Sequence, residues 1–294
     1  MTTKVTILDG GLGTALEHEL GTDVSESPLW STRAVINSDQ TIVNAHRLFI
    51  RAGAKIIETA TYQASVPNLV VAGLSLNDAK ETMHKAVKLA QRAKALYPET
   101  SGSVRIALSL GPFGATLRPT QEFLGYYPPP YGPKAFSELG PNTRSFSNPE
   151  EEQEAINALA IDPATWNSID YIAFETVLLK REVKSIRRAI SLLSEHLAQT
   201  GESLPFSKPW WISFVCPDEA RSEKLPVPSG IGINCTSLER LPSLIADLTR
   251  TIPRVVSSSM SLVLYPNGGE YDTSQSILGT EERWRYWKMG VKVC

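Results

Sequence analysis

The chain has 294 residues, 29 basic against 31 acidic side chains, a net charge of −2 and 42% apolar residues. Such a length and apolar share suit a large packed core, and the near-neutral balance argues against a dedicated nucleic-acid or anionic-membrane surface. No run of about 18 apolar residues is present to cross a bilayer, and three cysteines are too few and too odd for a disulfide framework, which fits a reducing cytoplasm.

From Met1 the chain enters a strand-like run at 5–8 directly, too short for a signal-peptide core. Further short apolar runs lie at 54–57, 104–110, 171–174, 210–215, 231–233, 262–265 and 291–293. They alternate only weakly, as strands buried on both faces do. Helical spacing lies between most of them. Residues 40–52 are the first candidate. Ser75-Leu-Asn-Asp78 reads as a capping box ahead of Ala79, Met83, Ala86, Val87, Ala90 and Ala93. Residues 150–161 are a further candidate. Val183, Ile186, Ile190, Leu193 and Leu197 step by three and four, and 238–251 accommodates Pro242 in its first turn. Eight strand signals alternating with helices predict a (β/α)8 barrel, with a doubly wound open sheet as the other arrangement. Gly10, Gly11 and Gly13 lack the order of a dinucleotide fingerprint. Two segments break the pattern. Residues 111–149 form a long connection containing Tyr126-Tyr-Pro-Pro-Pro-Tyr131, readable as a cover for a site or as a disordered insertion. Residues 216–229 are short for a crossover between parallel strands.

Chemistry gathers where apolar runs end. Asp9 precedes Gly10-Gly11 and reads as a holder of a cationic group or as a turn aspartate. Glu58 follows Ile56-Ile57, with Thr59, Thr61, Tyr62 and Gln63 close behind. Glu175 follows Phe174, and Asn234-Cys235 closes the run at 231–233. In parallel α/β folds, strand ends are where sites are built, so these residues are expected in one place. Three carboxylates at one end make a negative field suited to a cation. An unpaired cysteine is also often simply buried and inert, a reading open for Cys235 and Cys216 alike. Zinc held by strand-end thiols is a further option, though no Cys-x-x-Cys pair occurs. The four histidines lie away from strand ends.

Six motifs in order resemble the homocysteine S-methyltransferases: Asp-Gly-Gly-Leu-Gly-Thr (9–14), Glu-Thr-Ala-Thr-Tyr-Gln-Ala-Ser (58–65), Gly-Pro-Phe-Gly-Ala (111–115), Phe-Glu-Thr (174–176), Gly-Ile-Asn-Cys-Thr (232–236) and Tyr-Pro-Asn-Gly-Gly-Glu (265–270). The resemblance implies a (β/α)8 barrel that methylates homocysteine to methionine, with S-methylmethionine or S-adenosylmethionine as donor. It implies catalytic zinc on three cysteines. Cys235 matches one; the other two belong to a Gly-Gly-Cys-Cys run ending the eighth strand. It also implies that Asp9 and Glu175 hold the homocysteine amino group, while Glu58 and Tyr62 suit the sulfonium donor. This chain stops at Gly290-Val-Lys-Val-Cys294 without that run. Cys294 falls near the expected place but does not replace two thiolates, and Cys216 matches no ligand. The expectation is thus one homocysteine-binding domain over 1–294 lacking its C-terminal end, with strand eight and its helix incomplete. The other reading is a zinc-deficient, inactive relative that binds a small molecule.

Overall fold

The computed structural model describes residues 6–24, 27, 29–98, 102–118, 120–122, 125–133, 149–150, 153, 163–200, 208–214, 229–236, 241–255 and 261–265. Helices α1 (Leu12–His18), α2 (Ser31–Asn37) and α3 (Asp39–Ala52) precede β1 (Ile56–Glu58). Then come α4 (Val66–Val71), α5 (Leu76–Ala95), β2 (Arg105–Leu110) and a 3-10 turn (Phe113–Thr116). The rest is α6 (Pro163–Asn167), β3 (Tyr171–Val177), α7 (Lys180–Thr200), β4 (Trp210–Phe214), β5 (Gly230–Asn234), α8 (Leu241–Val255) and β6 (Ser261–Tyr265). Local chemistry explains the clearest boundaries. The Ser75 hydroxyl accepts from the Asp78 backbone N–H at 3.1 Å and donates to its carboxylate at 2.6 Å, which starts α5. Gly53, at φ 104°, ends α3 in the left-handed conformation that glycine adopts without a Cβ clash.

All six strands are parallel and pair in sequence order, and Leu8 adds a parallel bridge to Ile56 at the β1 edge. Six of the eight expected staves are therefore present as strands among the described residues, and the first is marked by the single bridge at Leu8. The eighth, at 291–293, and the short crossover 216–229, apart from Ser229, lie outside them, as does most of the helix expected at 150–161.

The weak alternation in sequence conceals two apolar layers. Ile57, Ile106, Leu108, Ile172, Phe174, Trp210 and Ile212 point outward and join the helices in the main core. Ile56, Ala107, Ala173 and Trp211 face the other way and pack with Leu8 and Val263. Leu8 and Val263 come from opposite ends of the strand order, so the sheet is curled and this second cluster fills its concave side. Glycines make room there. A Cβ on Gly232 would lie 2.6 Å from the Val263 carbonyl oxygen. α8 covers the outer side of β5 and β6 through Leu241 and Leu248. No helix among the described residues is long and apolar enough to cross a membrane.

His46 in α3 is fully buried, and neither ring nitrogen has a hydrogen-bond partner among the described residues. Burial lowers its pKa from 6.5 to about 4. The unfolded chain therefore takes up a proton between these values while the folded chain resists it. The His46 contribution to stability is full above pH 6.5 and falls toward pH 4, by up to about 3 kcal/mol. Denaturant melts of wild type and His46→Leu between pH 4 and 7.5 are expected to show a stability difference that shifts in the variant's favour as pH falls. A pH-independent difference would contradict this assignment.

Candidate active site

One step along each strand from the concave apolar cluster, the same side of the sheet turns polar. Side chains alternate with period two, so Ile56, Ala107, Ala173, Trp211 and Val263 are succeeded by Glu58, Ser109, Glu175, Ser213 and Tyr265. Asp9 joins this layer beside Leu8. Its Oδ2 accepts from the Glu58 backbone N–H at 2.7 Å, whereas Asp9 Oδ1 and Glu58 Oε1 are buried with no hydrogen-bond partner among the described residues. The Ser109 hydroxyl donates to Glu175, and the Ser213 and Tyr265 hydroxyls are hydrogen-bonded to each other. None of the ion pairs among the described residues involves Asp9, Glu58 or Glu175.

Three neighbouring carboxyls without a basic partner among the described residues resist ionisation. Burial pushes Asp9 well above the usual carboxylate range, opposed by the Glu58 N–H and reinforced by the Glu175 charge. Burial raises Glu58 in the same way, with repulsion from Glu175 and then Asp9. Glu175 is pushed up to about 7 by burial, against the stabilising hydroxyls of Ser109 and Tyr265. Such a layer is a seat for a cation. An alkylammonium placed there would ionise the carboxyls and satisfy the two unpartnered oxygens.

A second cluster stands at the ends of β3 and β5. Thr176 and Cys235 both have positive φ, 57° and 48°. This is a costly conformation for a β-branched residue and a marker of sites where strain is held by surroundings. Asn234 supplies the hold: its Oδ1 accepts from the Thr176 N–H at 3.2 Å, and its Nδ2 donates to Thr176 Oγ1 at 2.7 Å and to Cys235 Sγ at 3.4 Å. The Glu175–Thr176 corner is not the loop beyond β3 that the sequence implied. It lies inside the strand, where the pairing register to β4 shifts between Phe174 and Val177. Cys235 is open to solvent at one edge. Its thiol is nonetheless raised to about 11, by burial of the sulfur first and then by the Glu175 and Glu122 carboxylates. The sulfur lies among polar groups, within reach of Asn234 Nδ2 and Thr176 Oγ1, and not among aliphatic side chains.

Tyr62, four residues past Glu58, belongs to this second cluster. Its hydroxyl donates to Glu122 Oε2 at 2.6 Å, and it also interacts with Thr176 and Cys235. Its backbone is set by close contact with Gly111, whose N–H reaches the Tyr62 carbonyl at 3.2 Å. A Cβ on Gly111 would run into that oxygen. Glu122 was missed by reasoning from strand ends, because no apolar run precedes it. The only pointer was its place in the long connection read as a cover. The described part of that connection is folded down. Gln121 N–H bonds the Gly114 carbonyl at 2.9 Å, and Phe113, Tyr127, Leu178 and Leu179 form a small core.

A family model described as homocysteine S-methyltransferase matches residues 6–293. The chain belongs to the homocysteine S-methyltransferase family. Its relatives include homocysteine S-methyltransferase 3 of Arabidopsis thaliana, 27% identical over 95% of this chain and 76% of that one. Another is the selenocysteine Se-methyltransferase of Brassica oleracea var. italica, 28% identical over 90% of this chain and 74% of that one. Among solved structures, the homocysteine methyltransferase MmuM from Escherichia coli in its metallated form aligns with a TM-score of 0.64 at 24% identity, covering 98% of this chain and 89% of that chain. That likeness establishes the shared α/β fold with its curled parallel sheet.

Family membership raises the question of a metal. Cys235 is one soft donor at a reachable strand end, but among the described residues no group of three His, Cys, Asp or Glu is placed to hold an ion. Cys216 and Cys294 lie outside the described residues. The described donor set therefore does not fit a metal centre, and no step below runs through one.

The acidic layer has a measurable stability cost. Glu175 titrates near 4.5 unfolded and about 7 folded, so its contribution is favourable below pH 4.5 and is lost as pH rises through 7. Glu175→Gln is expected to raise the melting temperature at pH 8 by an amount worth up to about 3 kcal/mol. The gain should shrink toward pH 4. An equal gain at both pH values would show that charge is not its cause.

Proposed function

We propose that this chain transfers a methyl group from a sulfonium donor, S-methylmethionine or S-adenosylmethionine, to homocysteine, forming methionine. The observation that carries the reading is the pairing of a buried acidic layer, with no basic partner among the described residues, with an accessible thiol corner on the same side of the sheet. Asp9, Glu58 and Glu175 hold the ammonium of the amino acid, and Asn234 fixes the Thr176–Cys235 corner beside it. The acceptor sulfur forms the new bond to carbon, the carbon–sulfonium bond breaks with its electron pair going to the donor sulfur, and the acceptor's thiol proton is released to solvent. A cation and an incipient thiolate attract strongly in a water-poor site. The selenocysteine enzyme among the relatives extends the acceptor class to a selenol.

The same reading takes the span of the family match, 6–293, as one homocysteine-binding domain and the parallel strands as staves of a (β/α)8 barrel. Zinc is the point at which the described residues do not fit, since they offer the single thiol of Cys235. A second reading is a relative that binds the amino acid without turnover.

One assay separates the two. The full chain is incubated with homocysteine and each sulfonium, with and without added zinc, and methionine is measured together with bound metal. Turnover that Cys235→Ser abolishes while circular dichroism stays unchanged is the expected result. Homocysteine binding with no methionine under any of these conditions would establish the second reading. For the active chain, kcat/KM for homocysteine is expected to fall as pH drops through about 7, because protonated Glu175 no longer attracts the ammonium. A profile that stays flat down to pH 5 would remove Glu175 from that role.

A further inference from the structure

We propose that Glu122, held against Tyr62 beside Cys235, is the group that recognises the positive charge of the methyl donor and so selects a sulfonium over a neutral thioether. The inference rests on the methyl-transfer reading above. Reacting atoms must come within about 3–3.5 Å of each other in line. The donor sulfonium therefore sits next to the acceptor sulfur, at the thiol corner, and not on the acidic layer where the amino acid's own ammonium is seated. At that corner the described residues offer one carboxylate from outside the sheet, Glu122, and one aromatic ring bonded to it, Tyr62. Glu122 stands near enough to Cys235 to disfavour its thiolate. The same proximity would favour a cation lying between the carboxylate and the sulfur. The Tyr62 ring adds a face for cation–π contact.

The described residues before Glu122 are tied down, and charge recognition calls for a positioned carboxylate. Gln121, next to Glu122, is tied to Gly114 by its backbone. The turn before it is anchored by Glu182 Oε1, which accepts from the Phe113 N–H at 2.6 Å. Phe113 packs edge-on to Tyr131 at 5.3 Å and tilted to Tyr127 at 5.8 Å. Arg181 lies 5.5 Å over the Tyr127 ring. Glu122 thus belongs to a folded flap whose inner side meets the site.

The test uses the full chain with Glu122→Gln, which keeps a partner for the Tyr62 hydroxyl but loses the charge, and Glu122→Asp, which keeps the charge. Steady-state kinetics are measured with S-methylmethionine and with S-adenosylmethionine, varying donor and homocysteine in turn. Glu122→Gln should raise the donor KM by roughly tenfold or more, the scale of one lost charge-assisted contact, and leave the homocysteine KM within about twofold. Glu122→Asp should recover most of the donor affinity. A Glu122→Gln variant with unchanged donor KM, or with both KM values raised alike, overturns the inference while the functional reading stands. A Glu122→Asp variant as impaired as Glu122→Gln overturns it too, because shape and not charge would then matter. A wild-type chain that uses neither sulfonium overturns the functional reading and this inference together.

Discussion

In β1 to β6 every second side chain faces the concave side of the sheet, and the parallel register lines those side chains up across strands. Apolar residues fill one level of that side and polar residues the next. The lower level closes the concave side with Trp211 and small alanines. The upper level brings Glu58, Ser109, Glu175, Ser213 and Tyr265 to one place from five strands that are remote in sequence. A shift of one residue in any strand would send its polar residue into the helix-facing core and its apolar neighbour into the site. Register is thus the constraint that both folds the protein and assembles its chemistry.

The polar level is built at the expense of the free protein. Three carboxyls are desolvated together, two of their oxygens go unbonded among the described residues, and Tyr265 is itself driven away from ionisation by burial and by Glu175 and Glu58. Such an arrangement makes sense for a molecule that spends its working time with a cation bound. His46 works in the opposite direction over a similar pH range, since the folded state keeps it neutral. Buried acids favour the folded state at low pH and the buried base favours it at high pH, so the two dependences oppose each other.

Strain and tethering define the thiol corner. Asn234 satisfies the Thr176 backbone and side chain at once, which holds two non-glycine residues in left-handed backbone geometry on neighbouring segments. The flap around Phe113 and Tyr127 then brings Glu122 to Tyr62. Under the proposed function this arrangement separates acceptor-binding from donor-binding chemistry: three carboxyls lie on the sheet, and Glu122 comes down from the connection after β2. Glu58 and Tyr62, neighbours in one motif, fall on different sides of that division.

Much of this was legible in the chain itself. An apolar run that stops at a polar residue marks a buried strand reaching its end, and that pattern placed Asp9, Glu58, Asn234 and Cys235, while Glu175 proved to lie inside β3. The helices α3, α5, α7 and α8 followed from their spacing, since a 3.6-residue period is a local property. Short helices such as α1 and α4 were not seen, because six or seven residues hold too few turns to show a period. Glu122 and the partition between Glu58 and Tyr62 depended on tertiary structure. Which side of a sheet a residue faces, and which distant loop folds onto it, are set by register and by packing between segments far apart in sequence, and no local pattern carries that information.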